Sequence, residues 1–142
     1  MSFNSSFFSR IVASIILSTS ILCDVTAADW NAIVPNLTSN DLSIIDLSSP
    51  FPSVTTVPGT LPFGKSAITP DGKTAYIASG NSSVTGTVTP YDFLTETIGT
   101  PINLQLGTDI GKLPGFIAIT PNGKTAYVGC ITTHDVWVLD LE

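Results

Sequence analysis

From Asp41 to Glu142 the chain is cut into short apolar runs separated by breaks rich in Pro, Gly, Asp and Asn. Phe116-Ile-Ala-Ile-Thr120, Thr125-Ala-Tyr-Val128 and Val136-Trp-Val-Leu139 are dominated by branched and aromatic side chains that favour strands. No segment here sustains the 3.6-residue apolar period of an amphipathic helix, so the pattern predicts an all-β domain. Pro70-Asp-Gly-Lys73 and Pro121-Asn-Gly-Lys124 read as tight turns. Pro presets φ, Asp or Asn bonds nearby backbone, and Gly accepts a positive φ. Each turn closes a hairpin between its flanking runs. Val136–Leu139 carries bulk on both faces, which predicts a strand sandwiched between layers. Thr97–Leu106 supplies a fourth strand, and Pro101 within it marks an edge or bulged strand.

Self-similarity organises these pieces. Ala67-Ile-Thr-Pro-Asp-Gly-Lys-Thr-Ala-Tyr76 recurs as Ala118-Ile-Thr-Pro-Asn-Gly-Lys-Thr-Ala-Tyr127, identical at nine of ten positions with a period of 51. A second element recurs three times, as Ser43-Ile-Ile-Asp46, Val88-Thr-Pro-Tyr-Asp92 and Val136-Trp-Val-Leu-Asp140. Four short antiparallel strands repeating at roughly 45–50 residues describe a β-propeller blade. These residues resemble the YVTN-type β-propeller repeats of exported and surface proteins, whose blade runs through Ala-Ile-Thr-Pro-Asp-Gly-Lys and Tyr-Val-Thr-Asn to Val-x-Val-Ile-Asp. Tyr127 to Asp140 matches that spacing without a gap, whereas Tyr76 to Asp92 is three residues longer. The Asn that ends Tyr-Val-Thr-Asn is replaced by Ser79 in one copy and Cys130 in the other. A side-chain amide there would bond neighbouring groups better than either replacement, so looser blade corners are expected.

The repeats define an incomplete propeller of about two to two and a half blades: the outer part of one, a full second, and three strands of a third. A closed propeller has four to eight blades and polar caps normally end an open array. Three explanations follow: a fragment of a longer propeller, self-assembly through open blade faces, or an open and adhesive stack. The fragment is the favoured one.

Ahead of the repeats, Arg10, an apolar stretch from Ile11 to Leu22, and small residues before Ala27 or Ala28 form a secretory signal peptide. The apolar run is short for a membrane span, which needs roughly 20 residues. The surroundings of Cys23 fit a lipid-anchor site poorly. The predicted organisation is therefore signal peptide 1–27, N-terminal lead-in 28–40 and partial propeller 41–142, in an exported protein of periplasm, cell surface or medium. Removal of 1–27 takes Cys23 with it and leaves Cys130 alone in an apolar strand, read as a buried, inert thiol.

Composition narrows the function classes. Charged residues are 11% of the chain, against a usual share of about 25%. Net charge is −6, and the cations are scattered, which disfavours nucleic acid as a partner. No Cys/His cluster, phosphate-cradling Gly-rich loop or Gly-x-Ser-x-Gly elbow is present. No catalytic residue, metal or cofactor is therefore expected. His134 is expected to be a solvated turn residue, since Asp135 beside it in a strand points to the opposite face. Asp46, Asp92 and Asp140 recur once per blade, which favours turn bonding over metal or substrate ligation, and Asp71 and Asn122 are likewise turn residues. Loops leading into the first strand of a blade line one mouth of a propeller channel. By that analogy Lys65, Asp109 and Lys112 are the candidate ligand-binding residues. Asn36-Leu-Thr38 and Asn81-Ser-Ser83 fit the N-glycosylation pattern.

The function expected is that of a binding or scaffolding module for a protein or small molecule. The alternatives are part of a secreted lactonase-like propeller enzyme, a class of propeller related to the family, or a truncated remnant.

Overall fold

The structure is a computed structural model that describes residues 31–48, 50–59 and 63–142. The segment 1–27 read as a signal peptide, the expected cleavage site and Cys23 lie outside the described residues. Every regular element among them is a strand. The first sheet holds β1 (Asn31–Asn36), β2 (Asp41–Asp46) and β3 (Ser53–Pro58) in sequential antiparallel order. The middle sheet runs β4 (Phe63–Ile68), β5 (Thr74–Ser79) and β6 (Thr87–Asp92), with two short strands, β7 (Thr97–Ile98) and β8 (Ile102–Asn103), both on the far edge of β6. A two-stranded ribbon, β9 (Gln105–Leu106) and β10 (Asp109–Ile110), leads to the third sheet of β11 (Pro114–Ile119), β12 (Thr125–Cys130) and β13 (Asp135–Asp140). The sheets stack face to face, with β4 beside both β1 and β11. This is an incomplete β-propeller of three blades, of which the middle one has all four strand positions filled.

Turn chemistry fixes the hairpins. In both Pro-Asx-Gly-Lys turns the Gly lies in the left-handed region, at φ 73° for Gly72 and 77° for Gly123. Asp71 Oδ1 accepts from the Thr69 hydroxyl at 2.6 Å and from Lys73 N–H at 3.1 Å, and Asn122 makes the same two bonds with Thr120 and Lys124. The fourth strand of the middle blade breaks at Gly99–Pro101 and stays on the edge, as Pro101 predicts. Its expected continuation, Gln105–Leu106, instead turns back at Gly107 (φ 61°) to form the ribbon.

The pairing registers make the three blades superimposable in sequence. Ala32, Val34 and Ile45 of the first blade correspond to Ala75, Ile77 and Tyr91 of the middle blade and to Ala126, Val128 and Leu139 of the third. On the opposite faces Ile33, Leu42 and Ile44 correspond to Tyr76, Val88 and Pro90, and to Tyr127, Val136 and Val138. Two cores result from period-2 alternation. Leu42 and Ile44 pack against Ala75, Ile77 and Tyr91 between the first two blades. Ala78, Val88 and Leu104 pack against Ala126, Val128, Cys130 and Leu139 between the second and third. The expectation that Val136–Leu139 is covered on both faces is corrected here. Leu139 is buried, but Val136 and Val138 are 58% and 60% exposed, because no blade among the described residues lies beyond them.

β1 adds a strand within the segment read as a lead-in, and Asn36 stands at the blade corner occupied by Ser79 and Cys130. Its amide donates to Asp41 Oδ1 at 2.7 Å and Ser43 Oγ at 2.9 Å. The buried Ser79 hydroxyl has no partner. The corner bonds thus differ as side-chain chemistry predicts.

Candidate functional site

Antiparallel order places the turns that follow the first and third strands of each blade at one end of the stack. The connections into each new blade lie at the other end, where the sequence pointed to a ligand. Lys65 is exposed on β4 and Asp109 is exposed on β10. Lys112 is half-buried, and its backbone is committed: it bridges Thr85, accepts from Thr132 N–H and donates to Thr133 Oγ1 at 3.2 Å. This segment is held between blades by the longer loop Gly80–Gly86, whose Gly86 N–H donates to Gly111 C=O at 2.7 Å. Gly111 itself admits no side chain, since a Cβ would lie 2.6 Å from Trp137 Nε1 and 2.8 Å from Cys130 Sγ. The one ion pair among the described residues is Lys124–Glu142, so no salt bridge joins Lys65, Asp109 and Lys112.

A cleft of about 640 Å³ opens instead at the opposite end, between the first and middle blades. Ile44, Asp46, Ser53 and Thr55 form one wall. The turn Asp71–Lys73 and the segment Tyr91–Glu96 form the other. Tyr91 and Phe93 meet edge to face, with ring centroids 5.3 Å apart and planes at 82°. Three carboxylates, Asp46, Asp71 and Glu96, share the cleft with one ammonium, Lys73.

Hydrogen bonding holds two of these carboxylates in the charged form. Asp46 Oδ1 accepts from the Ser48 hydroxyl at 2.5 Å and its N–H at 2.8 Å, which lowers its pKa. The Thr69 hydroxyl, then the Lys73 N–H, lower that of Asp71. Such groups are poor proton donors at neutral pH, where a general acid needs a pKa near the working pH. The turn role read for the recurrent aspartates is visible in the bonds: Asp46, Asp92 and Asp140 each accept from the N–H two residues on, in Ser48, Leu94 and Glu142. Asp46 and Asp71 also line the cleft, a second role that local pattern did not indicate. The nearest available signal was the concentration of Asp71, Lys73, Phe93 and Glu96 in two turns on the same end of one blade.

His134 is exposed at the β12–β13 turn with φ 58°, and Asn40 holds the corresponding place in the β1–β2 turn with φ 57°. Asn and His are enriched in that left-handed slot. The Asp135 carboxylate is engaged by the Thr133 hydroxyl at 2.7 Å. Cys130 is buried, and desolvation, then the Asp135 charge, push its thiol up to about 11, so it is protonated and unreactive at neutral pH. Among the described residues no group of three or more His, Cys, Asp or Glu side chains could hold a metal ion.

No family model matches this sequence, and no curated protein matches it. Solved structures do. Hydrazine synthase of Kuenenia stuttgartiensis is 25% identical with a TM-score of 0.63, over 78% of this chain and 29% of that one. A proposed 6-phosphogluconolactonase from Bacteroides fragilis is 20% identical with a TM-score of 0.58, over 79% of this chain and 32% of that one. A second proposed 6-phosphogluconolactonase, from Bacteroides uniformis, is 16% identical with a TM-score of 0.59, over 79% and 33%. The fold is propeller-like. The chain spans about a third of the length of these relatives.

Proposed function

We propose that this protein is an exported, YVTN-like propeller module that binds a ligand and carries out no chemistry itself. The cleft between the first and middle blades is its binding surface. The observation that supports this reading is the cleft's composition: three carboxylates against one ammonium, beside two aromatic rings. A cationic group, such as an amine or guanidinium on a small molecule or peptide, is attracted by the carboxylates. Titration with an arginine-rich peptide, followed by calorimetry, tests it. Binding should weaken with salt and on Asp71→Asn. Binding unaffected by both changes would refute this use of the cleft.

Likeness to two proposed 6-phosphogluconolactonases supports a second reading, a segment of a lactonase-like enzyme. An anionic phosphosugar is repelled by the same three carboxylates. Hydrolysis of a sugar lactone by the purified protein would favour the enzymatic reading over the binding one.

A further inference from the structure

A sheet edge beside the cleft is open. β3 is the outer strand of the first sheet and pairs with β2 over six residues without a register shift. Among the described residues no strand lies on its other side. The rim of the middle sheet differs, since β7 and β8 are two residues each and are broken by the Gly99–Pro101 segment. Short, interrupted edges of that kind resist pairing with another chain. Neighbouring blades stack through their faces, so additional blades would cover faces and leave the β3 rim exposed.

The register decides which groups this edge offers. Gly59 N–H donates to Asn40 C=O at 2.8 Å, which extends the β2–β3 ladder by one pair and sets its phase. Antiparallel pairs alternate between those that exchange hydrogen bonds and those that do not. Ser53, Thr55 and Val57 therefore turn their backbone groups towards β2, whereas Val54, Thr56 and Pro58 turn theirs outward. Pro58 has no N–H, and in the outward set this costs the ladder no bond. The edge thus presents the N–H groups of Val54 and Thr56. Side chains follow the same alternation: Ser53 and Thr55 line the cleft, and Val54 and Thr56 lie on the opposite face.

We propose that an extended peptide with Lys or Arg at alternate positions adds to β3 as an antiparallel strand and places its basic side chains in the cleft. This rests on the reading of the cleft as a cation-binding surface and adds the ligand's class, conformation and register. Peptide residues opposite Val54 and Thr56 exchange backbone bonds with them. Those opposite Ser53 and Thr55 direct their side chains to the cleft, towards Asp46, Asp71 and Glu96. Backbone pairing gives affinity, and the alternate side chains give selection. Charge chooses the occupant: three carboxylates face one ammonium, so basic side chains are drawn in and acidic ones are repelled.

Calorimetry with three capped peptides of alternating Thr and Arg tests the arrangement on the protein purified as its host processes it. One peptide is unmodified, one is N-methylated at every Thr and one at every Arg. The unmodified peptide should bind. Methylation at Thr, whose N–H groups face β3, should weaken binding about tenfold or more, because two backbone bonds are lost. Methylation at Arg, whose N–H groups face solvent, should leave affinity within about twofold. Thr56→Pro removes an outward N–H and no bond to β2, and an edge strand accepts Pro there. Its circular dichroism should match wild type while affinity falls about fivefold or more; if it does not fold, the methylated peptides decide alone. Binding that salt and Asp71→Asn weaken, but that Thr methylation and Thr56→Pro leave unchanged, overturns strand addition and leaves the cleft reading standing. Equal weakening by both methylations overturns the register. Binding indifferent to salt and Asp71→Asn overturns the cleft reading and this proposal with it, as does a failure of the unmodified peptide to bind.

Discussion

Leu42 and Ile77 belong to different blades and share one core, so their energies should depend on one another. Both are fully buried, Leu42 on β2 and Ile77 on β5, together with Ile44, Ala75 and Tyr91. Truncating either to Ala removes buried carbon and leaves a cavity, at about 2–5 kcal/mol each. Once one is gone its neighbours relax into the space, and the second loss should differ from its stand-alone value by about 0.5–3 kcal/mol. Val128 provides the control. It is equally buried but lies in the other core, across the middle sheet from Ile77. Ile77→Ala and Val128→Ala should add to within about 0.3–0.5 kcal/mol. The assay is urea denaturation of the four chains of each cycle at about 10–20 °C, where stability is greatest. The double variants approach the total stability of a domain, about 5–15 kcal/mol. Constant m-values are required for the comparison. Strict additivity of Leu42→Ala with Ile77→Ala, or strong coupling of Ile77→Ala with Val128→Ala, would refute two separate cores flanking the middle blade.

Removing the unpartnered buried hydroxyl by Ser79→Ala should leave the urea midpoint unchanged or raise stability by about 1–3 kcal/mol; a fall would mean the hydroxyl makes a bond. Asp71→Asn should keep the turn, since Asn122 makes the same bonds in the equivalent turn. The pKa of Asp71 is lowered on folding, so its stabilising effect is complete above its ordinary 3.8 and is lost as pH falls through the folded value. Thermal melts stepped down through that range should therefore be less acid-sensitive in Asp71→Asn than in wild type. Cys130 behaves in the opposite sense. Its folded pKa is about 11 against an ordinary 9.0, so the unfolded chain ionises first. Its ionisation should lower stability from pH 9.0 towards pH 11, a decline that Cys130→Ala lessens, the remainder coming from Tyr76 and Tyr91, whose pKa values burial also raises above the ordinary 10.0. Native protein should also resist thiol alkylation until unfolded.

The hairpins were legible in the sequence because their determinants are local. Pro, Asx and Gly at fixed offsets set each turn, and period-2 alternation sets which face is apolar. β1 was not legible: Asn31–Asn36 has Pro35 inside it and no Pro-Asx-Gly-Lys turn before it, and only pairing with β2 shows it to be a strand. With it went the corner amide of Asn36, the residue that the two later copies lack. The ribbon β9–β10 was hidden for a related reason, as Gln105 and Leu106 look like a continuation of the edge strand until Gly107 reverses the chain. The cleft was least accessible of all. Asp46 and Asp71 are correctly read as turn residues one at a time, and only the packing of one blade on another brings them into a shared cavity.

The asymmetry between the middle sheet and its neighbours has a consequence for how the molecule loosens. Among the described residues the middle sheet is covered on both sides, whereas each flanking sheet is covered on one. In a linear array of nearest-neighbour contacts, opening starts at the ends and works inward. Amide protons of β5, whose Ala75, Ile77 and Ala78 are all fully buried, should be the slowest to exchange with deuterium. The outward-facing strand β13 should exchange early, which makes the central hairpin the last part of the molecule to give way.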